Sequence, residues 1–170
     1  MIEYRIGNLL DVTEGIIAHG CNCKGVMGSG VARAIRDTYP KVYDEYASLC
    51  HDASASGTDL LGENQYCRVE ESRYGLFDEL VVVNMFTQNS FGSDGRRYVS
   101  YDAVDTCFAS LVKKMKKHGW MDGIDTIHIP QIGSGLGGGK WSIIESIIDA
   151  HTKDFNVIVW ALNKEQLVNR

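Results

Sequence analysis

The sequence predicts an α/β fold with helices packed on both faces of a sheet. Three observations predict it. Strand-like and helix-like segments alternate along the 170 residues, the pattern of helix layers on a sheet. Residues 80–86, Leu-Val-Val-Val-Asn-Met-Phe, form a nearly continuous apolar run, as expected of a strand buried on both faces. Two glycine-rich segments each follow an apolar strand and precede a helical stretch. That is where an α/β sheet places its ligands, outside the carboxyl ends of its strands.

The elements follow in order. Residues 2–6 alternate weakly and read as an edge strand. Residues 15–19 are a short apolar run fit for a buried strand. Residues 31–39 look helical and stop before Pro40, because α geometry is disfavoured ahead of proline. A second helix follows, with Val42, Tyr43, Tyr46, Leu49 and Cys50 on one face. Residues 52–57 are the one linker-like stretch, too short to separate domains. Residues 64–69 and 80–86 are strands, and 87–98 a polar loop. A long helix then carries Val104, Phe108, Leu111, Val112 and Met115 at helical spacing. Ser100 and Asp102 suit its start; Lys113, Lys114, Lys116 and Lys117 suit its end, and Gly119 its stop. Residues 126–130 make a strand. Ser142-Ile143-Ile144-Glu145 matches a capping box, with Ile143, Ile144, Ile147 and Ile148 as the buried face. Residues 155–162 close the fold as a strong strand.

The hydrophobic share of 44% and charged share of 23% are ordinary for a globular chain. One domain, residues 1–170, is expected at this length. A formal charge of -5 argues against general nucleic-acid binding, which runs on positive charge. It leaves room for an anionic small ligand, since backbone N–H groups bind phosphate without side-chain charge. No apolar run approaches the roughly 20 residues of a membrane span. The chain's start reads directly as a strand, and its five cysteines make an odd count. Free thiols, a reducing compartment and a cytoplasmic location are therefore expected. A monomer is expected too.

The glycine segments are Gly28-Ser29-Gly30 and Gly133-Ser134-Gly135-Leu136-Gly137. Glycine lets a backbone approach phosphate closely, and the following helix N-terminus supplies free N–H donors and a favourable dipole. The second segment formally holds G-x-G-x-x-G at Gly133, Gly135 and Gly138. Its context is wrong for a dinucleotide fold: one strand follows, and no acidic residue ends it. The phosphate-loop pattern also fails, because Trp141 follows Gly139-Lys140 and Ser134 stands at the first glycine. The plainer alternative is two tight turns, though one turn needs only one or two glycines.

Residues 17–32, Ile-Ala-His-Gly-Cys-Asn-Cys-Lys-Gly-Val-Met-Gly-Ser-Gly-Val-Ala, and residues 129–136, Ile-Pro-Gln-Ile-Gly-Ser-Gly-Leu, resemble the two ligand loops of macrodomains. The order of elements agrees along almost the whole chain. Within that family the chain is most similar to the ADP-ribose 1″-phosphate phosphatase branch, through His19-Gly20-Cys21-Asn22-Cys23, the Thr87 to Gly92 loop and Pro130-Gln131-Ile132. The resemblance implies a three-layer α/β/α sandwich around a mixed, mostly parallel sheet of about six strands. It implies an ADP-ribose derivative as ligand, with no cofactor and no metal. The diphosphate would lie on Gly28, Ser29, Gly30 and Val31 and on Gly133, Ser134, Gly135, Leu136 and Gly137. Phe91 would lie against the ligand. The base would meet Leu162 and the Gly7-Asn8-Leu9 turn. An aspartate is usual at the Asn8 position; asparagine keeps a carbonyl able to accept from the adenine amino group but loses the charge. Asn22 matches the position near the distal ribose.

The resemblance implies hydrolysis of ADP-ribose 1″-phosphate to ADP-ribose and phosphate. His19, Asn22 and Ser90 are the expected catalytic residues, His19 because imidazole transfers protons near neutral pH. The alternatives are removal of ADP-ribose from modified protein or DNA, and a non-enzymatic reader. The former branch carries a lysine in the loop after the fourth strand, where this chain has Thr87-Gln88-Asn89. The plainer reading of His19 is a hydrogen-bonded core histidine, and of Asn22 a turn former. Cys21 and Cys23 read most simply as small buried hydrophobes. Arg96 and Arg97 read as a solvated pair or a phosphate clamp, and Trp141 as the residue that anchors the second loop.

Overall fold

The computed structural model describes residues 1–69, 79–117, 120–121 and 123–167. Gly119, the expected helix stop, lies outside them. Six strands form one sheet: β1 (Ile2–Ile6), β2 (Gly15–Asn22), β3 (Asn64–Val69), β4 (Leu80–Gln88), β5 (Thr126–Ile129) and β6 (Asn156–Ala161). Their order is β1-β6-β5-β2-β4-β3. Every neighbouring pair is parallel except β3 with β4. The sheet is thus mixed and mostly parallel, and β1 is an edge strand.

Alternation along the central strands sorts side chains into two layers. Ile16, Ala18, Val81, Val83 and Met85 face α3 (Tyr101–Met115) and α4 (Trp141–His151), where Val104, Phe108, Leu111, Ile144 and Ile148 complete the larger core. Ile17, Leu80 and Val82 face the other way, toward Ile35 of α1 (Gly30–Thr38) and Val42 of α2 (Pro40–Ser56). Farther along the same face, Cys21 and Phe86 pack with Tyr46, Cys50 and Ala53 of α2. The result is a helix–sheet–helix sandwich. Among the described residues no helix is long and apolar enough to cross a membrane.

Several sequence expectations change. Residues 52–57 are no linker: α2 runs through Ser56, Ala53 is buried, and Gly57 caps the helix at φ 71°. The three small polar residues there simply face water. β2 extends past His19 to Asn22, and β4 past Phe86 to Gln88. Gly20 looks like a loop residue in sequence, yet a Cβ there would meet Thr87 Oγ1 at 2.7 Å and Ile132 at 3.1 Å. Its absence lets β2 pass under the second loop. Finally, Ser142 caps nothing. Helix α4 begins at Trp141 with Lys140 as N-cap, because tertiary contacts fix the start. Trp141 is buried and donates from Nε1 to Tyr4 Oη at 2.6 Å, and the Lys140 amide donates to Tyr101 Oη at 3.0 Å. Ile143 consequently turns to solvent while Ile144 and Ile148 are buried.

Candidate functional site

Parallel pairing puts the carboxyl ends of β1, β2, β4, β5 and β6 on one edge of the sheet. β2 and β5 are neighbours there, but their connections diverge. The chain leaves β2 through α1 and α2 toward β3 and β4; it leaves β5 through α4 toward β6. Adjacent strands whose connections part open a crevice between them, the usual ligand position of an open α/β sheet. The two glycine loops follow these strands and stand as its candidate walls.

Each wall presents backbone donors. Among the described residues, the amides of Gly28, Ser29, Gly30 and Val31, and of Gly133, Gly135, Leu136 and Gly137, have no hydrogen-bond partner. Ser29, the N-cap of α1, makes no side-chain capping bond, so the first-turn donors stay available with the favourable end of the helix dipole. The second loop is packed from behind. Gly137 O accepts from the amides of Tyr98 and Val99 at 2.8 and 3.0 Å. A Cβ on Gly138, at φ 69°, would stand 2.6 Å from Arg96 O. The density of glycine here reflects close packing against residues 96–99.

The loop after β4 braces both walls. Cys23 N donates to Gln88 O and Asn89 O at 3.1 and 3.3 Å. The other end of that loop holds Gly137. Between them, Ser90 and Phe91 lie exposed at the mouth. Arg96 is tied to Asp94 and lies over Tyr98, and Arg97 lies over Tyr101 at 4.6 Å. Val26, Phe91, Leu136 and Leu162, one from each of four strand-end loops, are exposed large apolar side chains. Their gathering at one edge supplies apolar surface beside the polar cradle. Leu9 does not share in it: its side chain is buried with Ile17 and Ile35, so only its backbone can face a ligand.

Asn22 is the keystone of the first loop. Its Oδ1 accepts from Lys24 N at 2.9 Å and Tyr46 Oη at 2.9 Å, and its Nδ2 donates to Val26 O at 2.8 Å. The turn-forming reading is therefore physically realised, and one N–H of the amide remains unspent. Tyr46 also donates to Asn22 O at 2.7 Å. Sequence reasoning placed Tyr46 in the helix face without seeing this role, since nothing local links residues 22 and 46.

His19 is elsewhere. It is 1% exposed, inside the sheet, with Nε2 2.6 Å from Asn84 Oδ1. The Asn84 amide donates to Gln65 Oε1 at 3.0 Å, so its oxygen must accept and His19 Nε2 must carry the proton. Nδ1 is left to accept from the Cys21 thiol at 3.8 Å. Burial pulls the imidazole pKa from 6.5 down to about 4, the Asn84 bond opposing weakly. The expected acid/base role meets a neutral, enclosed ring, and the core-histidine reading is the one its surroundings support. Burial likewise pushes the Cys21 thiol well above its ordinary range and Cys23 up to about 11, so neither is an activated nucleophile.

No family model matches the chain. It is 28% identical over 158 residues to the ADP-ribose 1″-phosphate phosphatase of Meyerozyma guilliermondii, covering 86% of this chain and 89% of the relative. It is 30% identical over 167 residues to an uncharacterised 17.5 kDa protein of Enterobacteria phage T4, covering 94% and 95%. A macrodomain protein from Streptomyces coelicolor, 27% identical, superimposes with a TM-score of 0.71 over 95% of this chain and 99% of that one. The chain belongs to the macrodomain family.

A separate cavity of about 440 Å³ lies behind the first loop of this macrodomain, lined by Lys24, His51, Asp59 and Asn89 among others. None of residues 28–31 or 133–137 lines it. Tyr46 offers a direct test of how that first loop is held. Tyr46→Phe leaves the ring stacked on Phe86 but removes the buried O–H shared by Asn22 O and Oδ1, of which Oδ1 keeps Lys24 N as donor. We expect a loss of about 1–3 kcal/mol in urea unfolding, with weaker ligand binding; a variant as stable as wild type would show that Asn22 is held without it.

Proposed function

We propose that the crevice binds ADP-ribose through its diphosphate and hydrolyses the phosphate monoester of ADP-ribose 1″-phosphate. The observation that carries the ligand class is the pair of glycine loops that follow adjacent β2 and β5, with their unpartnered amides. An anion there gains many short donors without side-chain charge, which suits a chain of formal charge -5. Relatives named ADP-ribose 1″-phosphate phosphatase, similar over most of their length, support the reaction.

In this reading the diphosphate spans the loops. The base lies toward Asn8 and Leu162, and the distal ribose toward Asn22, Ser90 and Phe91. The free N–H of Asn22 and the Ser90 hydroxyl orient the ribose and its phosphate. Water attacks phosphorus, the bond to the ribose 1″ oxygen breaks, and that oxygen takes a proton from solvent. The products are ADP-ribose and inorganic phosphate. Loop amides stabilise charge on the phosphoryl oxygens. His19 has no part in the proton transfer.

The test measures inorganic phosphate released from ADP-ribose 1″-phosphate, beside calorimetry with ADP-ribose. Binding with phosphate release is expected. Binding without it, together with release of free ADP-ribose from modified protein, would move the protein to the de-ADP-ribosylating reaction. Binding alone would make it a reader.

A further inference from the structure

The end of β1 fixes a hydrogen-bonding pattern that the bound base must match. Gly7 N donates to Ala161 O at 2.8 Å, so Asn8 runs beside exposed Leu162 at the carboxyl edge of the sheet. Asn8 is itself exposed, and it is the N-cap of the turn at Leu9–Asp11. Its Oδ1 accepts from Leu10 N at 3.0 Å.

That one bond decides which way the amide faces. An amide has a single acceptor oxygen and a single NH₂ group. With the oxygen engaged in capping Leu10, the amide atom left without a partner among the described residues is Nδ2, a donor. Flipping the amide would set two N–H groups against each other and lose the cap. The backbone N–H of Leu9, next along, has no partner among the described residues. The turn therefore presents two adjacent donors, Asn8 Nδ2 and Leu9 N–H. An aspartate at this position would behave differently: one carboxylate oxygen would cap Leu10 and the other would accept from the ligand.

Both hydrogen-bonding edges of adenine pair one acceptor, N1 or N7, with the donor amino group at C6. Two protein donors satisfy the acceptor and collide with the amino group. A 6-oxopurine carries acceptors at O6 and N7 side by side. We infer that Asn8 makes this a site for 6-oxopurine diphosphoribose nucleotides, bound at least as tightly as ADP-ribose. The inference rests on the proposed function above, which lays the base against Asn8 and Leu162.

The experiment is calorimetry of the wild-type protein and Asn8→Asp with ADP-ribose and with its hypoxanthine counterpart, inosine diphosphate ribose. In wild type the hypoxanthine ligand is expected to bind as tightly as ADP-ribose or more so. Asn8→Asp keeps the cap and restores an outward acceptor, so the ratio of the two dissociation constants should move about tenfold toward ADP-ribose. Taking the ratio cancels any general effect of the new charge on the diphosphate. Tighter binding of ADP-ribose by wild type, or a ratio unmoved by Asn8→Asp, overturns the inference. Failure of both nucleotides to bind wild type overturns the proposed ligand class as well, and is distinguishable by that double loss.

Discussion

Gly135→Glu is expected to lower ADP-ribose affinity at least a hundredfold, about 3 kcal/mol, while leaving the fold intact. The two halves of that expectation have separate causes. A Cβ at Gly135 meets nothing within 4 Å, and the residue is exposed without a left-handed φ. The substitution therefore asks little of the backbone. Its neighbours Gly137 and Gly138 would be poor choices, because side chains there collide with Gly133 and with Arg96 O. The new carboxylate, however, stands among the unpartnered amides of the second loop. It can take those donors itself, and it repels the negative diphosphate at short range. Calorimetry would read the affinity and circular dichroism the fold. Unchanged affinity in a folded variant would remove the second loop from the ligand site and the proposed function with it.

The second large effect is on stability against acid. His19 titrates near 4 in the folded chain, against about 6.5 when free. Between those values the unfolded chain binds a proton that the native state refuses, so stability falls as pH drops through that window. It is fully present above about 6.5 and flattens below about 4. The gap corresponds to about 3 kcal/mol, a large share of a small domain's stability. Urea unfolding followed from pH 7.5 to 4 should show this slope in wild type, beyond the carboxylates' common share. His19→Gln, which cannot titrate, should lack it. The same variant should keep its ADP-ribose 1″-phosphate turnover at pH 7.5 within about twofold, since His19 touches no substrate in the proposed reaction. A loss of a hundredfold there would return His19 to the chemistry.

These two predictions mark different depths of legibility. Gly135 belongs to a local motif: the segment 130–140 joins β5 directly to α4, and its glycine spacing is visible in consecutive residues. His19 does not. Its sequence neighbours Gly20, Cys21, Asn22 and Cys23 suggest a strand end beside a ligand. The residues that set its proton, Asn84 and Gln65, come from β4 and β3, and pairing across strands carries no local signal. Helix starts divide the same way. Ser100 caps α3 through Ala103 N, as its sequence announces. The Ser142 pattern is overridden by Trp141 reaching Tyr4, 137 positions away.

By itself, then, the order of apolar periods and glycine loops determined the α/β class, the positions of the six strands and the sheet edge that carries the glycine loops. Those properties follow from contacts within a strand or a turn, which are spelled in consecutive residues. Only the tertiary structure decided that β2 and β5 lie side by side, that Asn22 is clasped by Tyr46, that His19 is sealed and neutral, and that Asn8 spends its oxygen on Leu10 N. Each of these depends on which distant group a side chain meets. A single polar residue keeps the same letter whether its partner is a backbone amide, a buried amide or a ligand, and burial, which sets the energy of the choice, exists only after the layers have packed.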